Sequence, residues 1–373
     1  MFRALPYEIT GASSMIGRIL SIDEWAERMQ IPDRHTRGIL AGERVASLLG
    51  VQAKSWDPDR FRNPDSVTAV GKAAMASARV TPSEVDLIVC VTCTPYEIML
   101  GQDAFRFSRE LGLSDAVAPI QMEAGCGGMA RVMNVIGAMQ AKTVLVLSYN
   151  VASVLTEFDG MNEKYSHNET HPLKSILWAS AGIFSDGVGA LVLKRHDASR
   201  GYGFYSRDQQ SFGDRPGFVD PIVHYPGGGV MRPPGYGNND ELMAFAMSGR
   251  IIADYYNHGM LLNHEKLLER EPNYVERVRR IYTHQAGPSM VKDFMDIAQI
   301  THDKAPTNAA ELGNLVSPCT LKLFHDDVMD ETVAEGDEVC FSVVGAGPER
   351  GAFRLRSSVQ ERVRAEDFLP LAA

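Results

Sequence analysis

Cysteine is scarce in this sequence, and long apolar runs are missing from it. The five cysteines, at positions 90, 93, 126, 319 and 340, are odd in number and scattered, which excludes a regular disulfide framework and favours a reducing compartment. No apolar run approaches the roughly 18 residues of a membrane-spanning helix. The first residues, MFRALPYEITGASSMIG, lack the uninterrupted apolar core of a signal peptide. These absences predict a cytoplasmic protein.

Positive charge is also in short supply. The 37 Lys and Arg residues are outnumbered by 47 Asp and Glu residues, which gives a formal net charge of -10. Non-specific binding to nucleic acid needs a basic footprint, and so does attachment to an acidic membrane surface. The sequence therefore predicts neither a nucleic-acid partner nor a membrane partner. Hydrophobic residues make up 45% of the chain, enough for one large core or two fused ones.

Predicted strands and helices alternate along the chain, and their order repeats. In the first half the pattern predicts strands at 85–94 and 116–126, a helix over 127–141, a strand at 143–150 and two strands around a Gly-rich turn at 182–194. In the second half it predicts a helix at 241–256, a strand at 278–287, a helix at 288–298, a loop and helix over 311–329, and a strand, turn and strand over 338–356.

Such alternation is typical of an α/β fold with largely parallel sheets. The repeated order predicts two fused half-domains, residues 1–195 and 196–373, related by approximate two-fold symmetry. Symmetry of this kind brings equivalent strand-to-helix turns together at one central site. We therefore expect the turn at Cys126, the turn at His284 and the loop at Asn314 to meet.

Cys126 lies in the small-residue run EAGCGG, between a predicted strand and a predicted helix. At a helix N-terminus the partial positive charge lowers the pKa of a thiol, and the backbone N–H groups can hold an oxyanion. The pattern thus indicates Cys126 as a candidate nucleophile. The alternative is a buried structural cysteine in a tight turn, since free cysteine is among the most buried residue types.

His284 and Asn314 are the polar residues at the equivalent turns of the second half. His284, in YTHQAG, ends a predicted strand just before a helix, where α/β proteins place their sites. Asn314, in ELGNLVS, follows a glycine in a loop that enters a helix. Each has a simpler interpretation, because histidine can serve as a turn residue and asparagine often caps a helix or forms a turn.

In this order, the motifs resemble the β-ketoacyl-acyl carrier protein synthase III group of the thiolase superfamily. The resemblance covers nearly the whole chain and rests on TPSEVDLIVCVTCTP, EAGCGG, FSDGVGALVL, YPGGG, FAMSGR, the HQA and GN boxes and the final GAG turn. It implies a thiolase fold, in which two pseudo-two-fold-related α/β halves form a layered α-β-α-β-α core. It also implies a homodimer.

The resemblance implies a catalytic role for Cys126, His284 and Asn314. Cys126 takes an acyl group from a thioester. His284 and Asn314 bind the thioester oxygen of a malonyl- or β-ketoacyl-type second substrate and stabilise its enolate, which a malonyl thioester forms by losing CO2. The backbone N–H groups of Cys126 and of the turn at Ala346 and Gly347 form the oxyanion hole for the condensation. Substrates arrive as thioesters of CoA or acyl carrier protein, and no metal or other cofactor is expected.

Three departures from the family pattern concern the entrance to the site. Gly287 replaces the asparagine of the usual HQAN box, and Ser289 stands where the family has an arginine, for which Lys292 is the candidate substitute. The tryptophan–arginine clamp for the CoA adenine is missing, because Trp25 belongs to an earlier helix. These changes leave the choice between CoA and carrier protein open. They favour specialised polyketide or fatty-acid-derived metabolism over fatty-acid initiation.

The segment PYEIMLGQ (95–102) matches the loop that lines the acyl pocket of the partner subunit in this family. Leu100, beside Met99, stands where a bulky aromatic restricts some members to short primers, so a longer or branched acyl chain is expected. Glu97 could reach the partner's site as a base, as in some relatives; an ordinary surface carboxylate is the alternative.

Two further motifs are not expected to form functional sites. Cys90 and Cys93 form a CxxC pair inside a predicted strand without a second pair, which argues against zinc. His167 and His171 lie in a polar segment, 157–175, which we predict to be a long loop, as we do for 213–239.

Two rival functions stay open. One rival is an acyltransferase that passes the acyl group to an alcohol or amine. The other is a non-catalytic partner subunit.

Overall fold

A mixed sheet of ten strands frames the part of the chain that the structure describes. The computed structural model describes residues 1–31, 33, 38–98, 100–156, 177–207, 223–224, 227–231, 233, 235, 245–247, 249–345 and 347–370. The strands are β1 (Arg3–Leu5), β2 (Tyr7–Ile16), β3 (Ile19–Ser21), β4 (Ala53–Ser55), β5 (Leu87–Thr92), β6 (Pro119–Glu123), β7 (Thr143–Asn150), β8 (Gly187–Arg195), β9 (Gly201–Ser206), β10 (Val223–His224), β11 (Ala246–Met247), β12 (Arg280–Thr283), β13 (Glu338–Gly345) and β14 (Glu349–Ser357).

Helices follow most of the strands. They are α1 (Ile22–Met29), α2 (Gly42–Leu49), α3 (Pro58–Phe61), α4 (Asp65–Ser77), α5 (Gln102–Glu110), α6 (Gly128–Ile136), α7 (Ala152–Thr156), α8 (Leu177–Ile183), α9 (Gly249–Arg270), α10 (Tyr274–Arg277), α11 (Pro288–Ala298), α12 (Ala309–Leu312) and α13 (Cys319–Met329). Short 3-10 helices span Pro82–Glu84 and Ala365–Phe368. None of the helices described is long and apolar enough to cross a lipid bilayer.

The strand order repeats in the two parts of the sheet. In the first half the order is β2-β8-β7-β5-β6, and in the second it is β9-β14-β13-β12, with β1 added beyond β9. In each half the first strand pairs antiparallel with the last, and the last pairs antiparallel with the strand before it. A short parallel contact, Arg356 with Glu8 and Ser357 with Ile9, joins the halves. The division into domains at 195 and 196 stays a prediction.

The expectation of largely parallel sheets was wrong. Parallel pairing occurs between β5 and its neighbours β6 and β7, between β12 and β13, and in the short β14–β2 contact, whereas the other pairs of the large sheet are antiparallel. The reason is the strand that closes each half. Within its own half, each of β8 and β14 lies between two strands and runs opposite to both of them.

Three helical layers enclose the two parts of the sheet. Between them lie α6 and α13, whose Val132 and Phe324 share one apolar cluster with strand residues of both halves, such as Val89 and Phe353. Helices α4 and α5 cover the outer face of the first half. Helices α9 and α11 cover the outer face of the second. This arrangement is the layered α-β-α-β-α core of the thiolase fold, and it explains why β5 and β7 are buried at every position.

Candidate active site

The turn that carries Cys126 is built from small residues because the β13–β14 hairpin packs closely against it. Strand β6 ends at Glu123 and α6 begins at Gly128. A Cβ atom on Gly127 would lie 2.5 Å from Cγ of Glu349, and one on Gly345 would lie 2.3 Å from the backbone nitrogen of Gly127. The two glycines thus allow the β13–β14 hairpin to pack directly on the nucleophile turn.

Burial, and not the helix end, dominates the ionisation of Cys126. Burial raises the pKa of the thiol well above its ordinary value, and the neighbouring thiols Cys93 and Cys319 raise it further. The backbone and the Asn314 side chain act in the opposite direction but are weaker. The expectation of a lowered pKa was therefore wrong, because the cost of removing a thiolate from water exceeds the attraction of the helix end.

His284 follows β12 and is fixed through its backbone. Its N–H donates to the carbonyl of Ser342 at 3.0 Å, and the Tyr256 hydroxyl donates to its carbonyl at 2.7 Å. The ring is buried, and burial lowers the pKa of His284 to about 3. Its Nδ1 lies 3.2 Å from Sγ of Cys319. The imidazole is therefore neutral, and its other nitrogen, Nε2, is free of that contact.

Asn314 is held in the loop between α12 and α13. Its backbone N–H donates to the Ile183 carbonyl at 2.8 Å, and its Oδ1 accepts the Val316 N–H at 2.8 Å. Because Oδ1 accepts the Val316 N–H, the side-chain NH2 is available as a donor, and the Asn314 side chain hydrogen-bonds to the thiol of Cys126. Asn314 thus forms the turn that its sequence context suggests and also reaches the cavity.

Cys126, His284 and Asn314 line one cavity of about 290 Å³. From these side chains the cavity extends to a mouth between α2, α9 and α11, where Leu48, Ile252 and Met290 form its walls. The structure thus brings together the three residues that the sequence places on separate turns.

A second space of about 240 Å³ adjoins the first at Cys126. It is lined by Cys93 and Asn150, which sequence reasoning missed as site residues. Cys93 lies just beyond the end of β5, and Asn150 ends β7. The signal that could have found them is position: both stand at the carboxyl ends of strands parallel to β6, which leads to Cys126. The CxxC pair therefore divides, with Cys90 in the core and Cys93 at the site.

The turn expected to complete the oxyanion hole lies beside the nucleophile. Gly347 lines the cavity with Cys126, while Ala346 lies outside the described residues. Glu349, next in the hairpin, accepts hydrogen bonds from Nε of Arg131 at 2.8 Å and from the Tyr205 hydroxyl at 3.0 Å. Since Arg131 belongs to α6, this ion pair ties the hairpin to the nucleophile helix. The part of Cys126 and Gly347 in an oxyanion hole stays a prediction.

The loop expected to line a partner's acyl pocket is anchored by Asp103. The Asp103 carboxylate accepts the N–H groups of Tyr96 at 2.8 Å and Glu97 at 3.1 Å. The Glu97 carboxylate is exposed and lies 3.8 Å from Arg106. Leu100 is 83% exposed and is not among the residues that line the two spaces beside Cys126, and Met99 lies outside the described residues. Their roles across a dimer stay predictions.

Uncharged residues form the entrance of the cavity. Ser289 lines it, whereas Lys292 is exposed and pairs with Asp296 at 2.5 Å. Trp25 and Trp56 are buried in a core, and Trp178 is half-buried against the same core. Trp25 and Trp56 are therefore not available to stack on an adenine. The predicted loop 157–175, with His167 and His171, lies outside the described residues, as do about two thirds of 213–239, whose described part includes β10.

Lys54 is a supporting residue that the sequence did not reveal. It is fully buried, with Nζ over the rings of Trp25 and Trp56 at 4.8 and 4.3 Å. The Nζ donates to the carbonyls of Ala181 at 2.5 Å and Gly182 at 3.0 Å, near the end of α8. Because the next carbonyl, that of Ile183, accepts the Asn314 N–H, Lys54 supports the segment that holds Asn314.

Comparisons with known proteins find sequences similar to this chain. Residues 268–357 match the family described as 3-oxoacyl-[acyl-carrier-protein (ACP)] synthase III C terminal. The beta-ketoacyl-[acyl-carrier-protein] synthase III of Synechococcus sp. (strain WH7803) is 23% identical over 357 residues, covering 93% of this chain and 95% of the relative. That of Koribacter versatilis is 25% identical over 298 residues, covering 78% and 82%.

Solved structures show the same fold. The 3-oxoacyl-(acyl carrier protein) synthase III, FabH, of Pseudomonas aeruginosa PAO1 superposes with a TM-score of 0.71 at 20% identity, covering 95% of this chain and 98% of that one. A variant of Xanthomonas campestris OleA gives a TM-score of 0.75 at 16% identity, covering 93% and 97%. The chain has the thiolase fold, and its sequence is similar to those of beta-ketoacyl-[acyl-carrier-protein] synthase III proteins.

Proposed function

We propose that this protein is a condensing enzyme that joins an acyl group to a malonyl- or β-ketoacyl-type thioester. The observation that carries the proposal is that the Cys126 thiol, the neutral His284 ring and the Asn314 amide line one cavity. A nucleophile and two neutral hydrogen-bond donors are the groups that acyl transfer followed by enolate formation requires.

The first step is transfer of the acyl group to Cys126. The sulphur attacks the carbonyl of the incoming thioester, a new C–S bond forms, and the bond to the carrier sulphur breaks. The proton lost by Cys126 is taken up by the departing carrier thiol. Because the thiol of Cys126 is neutral in the empty site, its proton leaves only as the substrate reacts.

The second step is decarboxylation and condensation. The malonyl C–C bond breaks, CO2 leaves, and the electron pair forms an enolate whose oxygen accepts hydrogen bonds from Nε2 of His284 and Nδ2 of Asn314. The enolate carbon then attacks the acyl carbonyl, a C–C bond forms, and the C–S bond to Cys126 breaks. The departing Cys126 thiolate takes up a proton from solvent and returns to the neutral thiol. A neutral histidine suits this role because it donates without carrying charge.

We also propose that acyl carrier protein delivers the substrates and that the enzyme belongs to a specialised pathway. Trp25 and Trp56 are buried and cannot stack on the CoA adenine, and Ser289 at the cavity entrance supplies no positive charge for the CoA phosphates. The names of the relatives include the acyl carrier protein. No metal or redox cofactor takes part in the proposed reaction.

Intact-protein mass spectrometry tests the proposal, with acyl-CoA and acyl-carrier-protein donors of graded chain length supplied in parallel. Wild-type protein should gain the mass of the acyl group, and Cys126→Ala should not. Asn314→Ala should still be acylated but should form condensation product about 100-fold more slowly, because one oxyanion donor is lost. Product formation is measured with malonyl thioester as the second substrate.

The two rivals give different results in the same experiment. Unchanged condensation in Asn314→Ala would refute the enolate role. Transfer of the acyl group from Cys126 to an added alcohol or amine, without condensation, would identify an acyltransferase. Absence of acylation with every donor would favour the non-catalytic subunit.

A further inference from the structure

Cys319 is a buried thiol that the reaction steps above do not use. It is the first residue of α13 and is 1% exposed. Its Sγ lies 3.2 Å from Nδ1 of His284, and the backbone N–H of Gln285 donates to the same sulphur at 3.5 Å. The thiol therefore contacts the ring nitrogen of His284 that faces away from the enolate position.

Both partners of this contact are neutral. Burial raises the pKa of Cys319 to about 12 and lowers the pKa of His284 to about 3. A neutral imidazole carries one proton, on Nδ1 or on Nε2, and the partner of one nitrogen decides which. Since the sulphur already accepts the Gln285 N–H, its own S–H is left to donate, and Nδ1 is the acceptor within reach.

We propose that Cys319 is a positioning residue whose S–H donates to Nδ1 of His284 and so fixes the ring proton on Nε2. With the proton there, the ring presents a donor to the cavity. With the proton on Nδ1, the ring would present a lone pair that repels an enolate oxygen. The consequence for catalysis rests on the proposed function, whereas the location of the proton does not.

Two substitutions separate the hydrogen bond from simple packing. Cys319→Ser keeps an X–H donor of similar size at the same place, and Cys319→Ala removes it. Cys90→Ala is the matched control, because Cys90 is an equally buried thiol that lies in β5 without a contact to His284 among the described hydrogen bonds. If packing alone mattered, Ser and Ala at position 319 would behave alike.

The experiment is 15N NMR of protein labelled in the histidine rings, with the His284 signals identified by their loss in His284→Gln. Wild type, Cys319→Ser and Cys90→Ala should show the proton of His284 on Nε2, and Cys319→Ala should show a mixture of the two tautomers. Condensation should fall about tenfold in Cys319→Ala and recover in Cys319→Ser. Acylation of Cys126 should change less than about twofold in both, because it does not use the His284 donor.

The tautomer readout keeps this inference separate from the proposed function. A proton on Nδ1 in wild type, or an unchanged Nε2 tautomer in Cys319→Ala, would overturn it. If the tautomers behave as stated while wild type condenses no substrate, the positioning role stands and the proposed function fails.

Discussion

The thiol of Cys126 and the imidazole of His284 share one cavity, and burial shifts both toward their neutral forms. A thiolate–imidazolium pair, which would suit a protease-like nucleophile, is disfavoured from both sides. A neutral pair instead suits a reaction whose second half needs a neutral donor. Cys126 and His284 are therefore best described as a reactive thiol beside a hydrogen-bond donor.

The reactivity of Cys126 toward an alkylating reagent should reflect its raised pKa. Thiolate is the reacting species, so the rate with iodoacetamide should rise about tenfold per pH unit between about pH 7 and 9 without a plateau. Peptide mapping by mass spectrometry follows Cys126 separately from Cys93, with Cys126→Ala as the control. A plateau below about pH 8 would show that the helix end outweighs burial.

Sequence reasoning identified the polar residues at strand-to-helix turns. It missed residues whose role depends on contacts with distant parts of the chain. Cys126, His284 and Asn314 stand out because each follows a strand or enters a helix. Cys93 was assigned to a strand interior, although it lies just beyond the end of β5. Cys319 gives no local signal, since its contact with His284 joins residues 35 positions apart.

Among the elements, those with one clear pattern were predicted well. The strand at 143–150 and the helix at 288–298 have the predicted bounds. The hairpin predicted at 182–194 was wrong, because α8 continues to Ile183 and only β8 follows. The helix predicted from 241 begins at Gly249, and Ala246–Met247 form a strand. The bounds of β8 depend on its pairing with β2 and β7, which are distant in the sequence. A local sequence pattern carries no information about that pairing.

The end of α8 depends on a buried lysine. Burial lowers the pKa of Lys54 well below its ordinary value, while Asp186 acts against this shift. Lys54→Met would leave the carbonyls of Ala181 and Gly182 without their donor, so the free energy of unfolding should fall by about 2–3 kcal/mol. Condensation should fall as well, because the same segment holds Asn314.

Denaturant unfolding and the condensation assay measure these effects together. Lys142→Met is the control, since Lys142 is exposed and its removal should change stability by less than about 0.5 kcal/mol. If Lys54→Met were no less stable than this control, the carbonyl contacts would not support α8.

For the whole molecule, the repeat of strand order accounts for the position of the site. Equivalent loops of the two halves converge where the halves meet, so one half supplies Cys126 and the other supplies His284 and Asn314. The sequence indicated this symmetry through its repeated order of elements. It could not indicate that the halves share one continuous sheet, because the two residue pairs that join β14 to β2 have no sequence pattern of their own.

The open edge of this sheet leads to a prediction about assembly. Strand β6 pairs only with β5, and no other described strand covers its second edge. Close to it along the chain, Ile98, Leu100 and Phe105 are 56%, 83% and 49% exposed. An open edge flanked by exposed apolar side chains is a surface that proteins cover. We expect a homodimer through this edge, with twice the chain mass of 41.0 kDa.

Size-exclusion chromatography with light scattering tests this assembly. The double variant Leu100→Asp and Phe105→Asp should shift the protein toward monomer, because charged side chains are costly in an apolar interface. Ile297→Asp is the control, since Ile297 is 61% exposed on α11, in the other half of the chain, and should not affect the dimer. Ile98 lines a further space that shares Cys93 and Glu123 with the space beside Cys126, so we expect the monomer to accept a different range of acyl chain lengths from the dimer. A monomeric wild type, or a double variant that stays dimeric, would contradict the assignment of this edge.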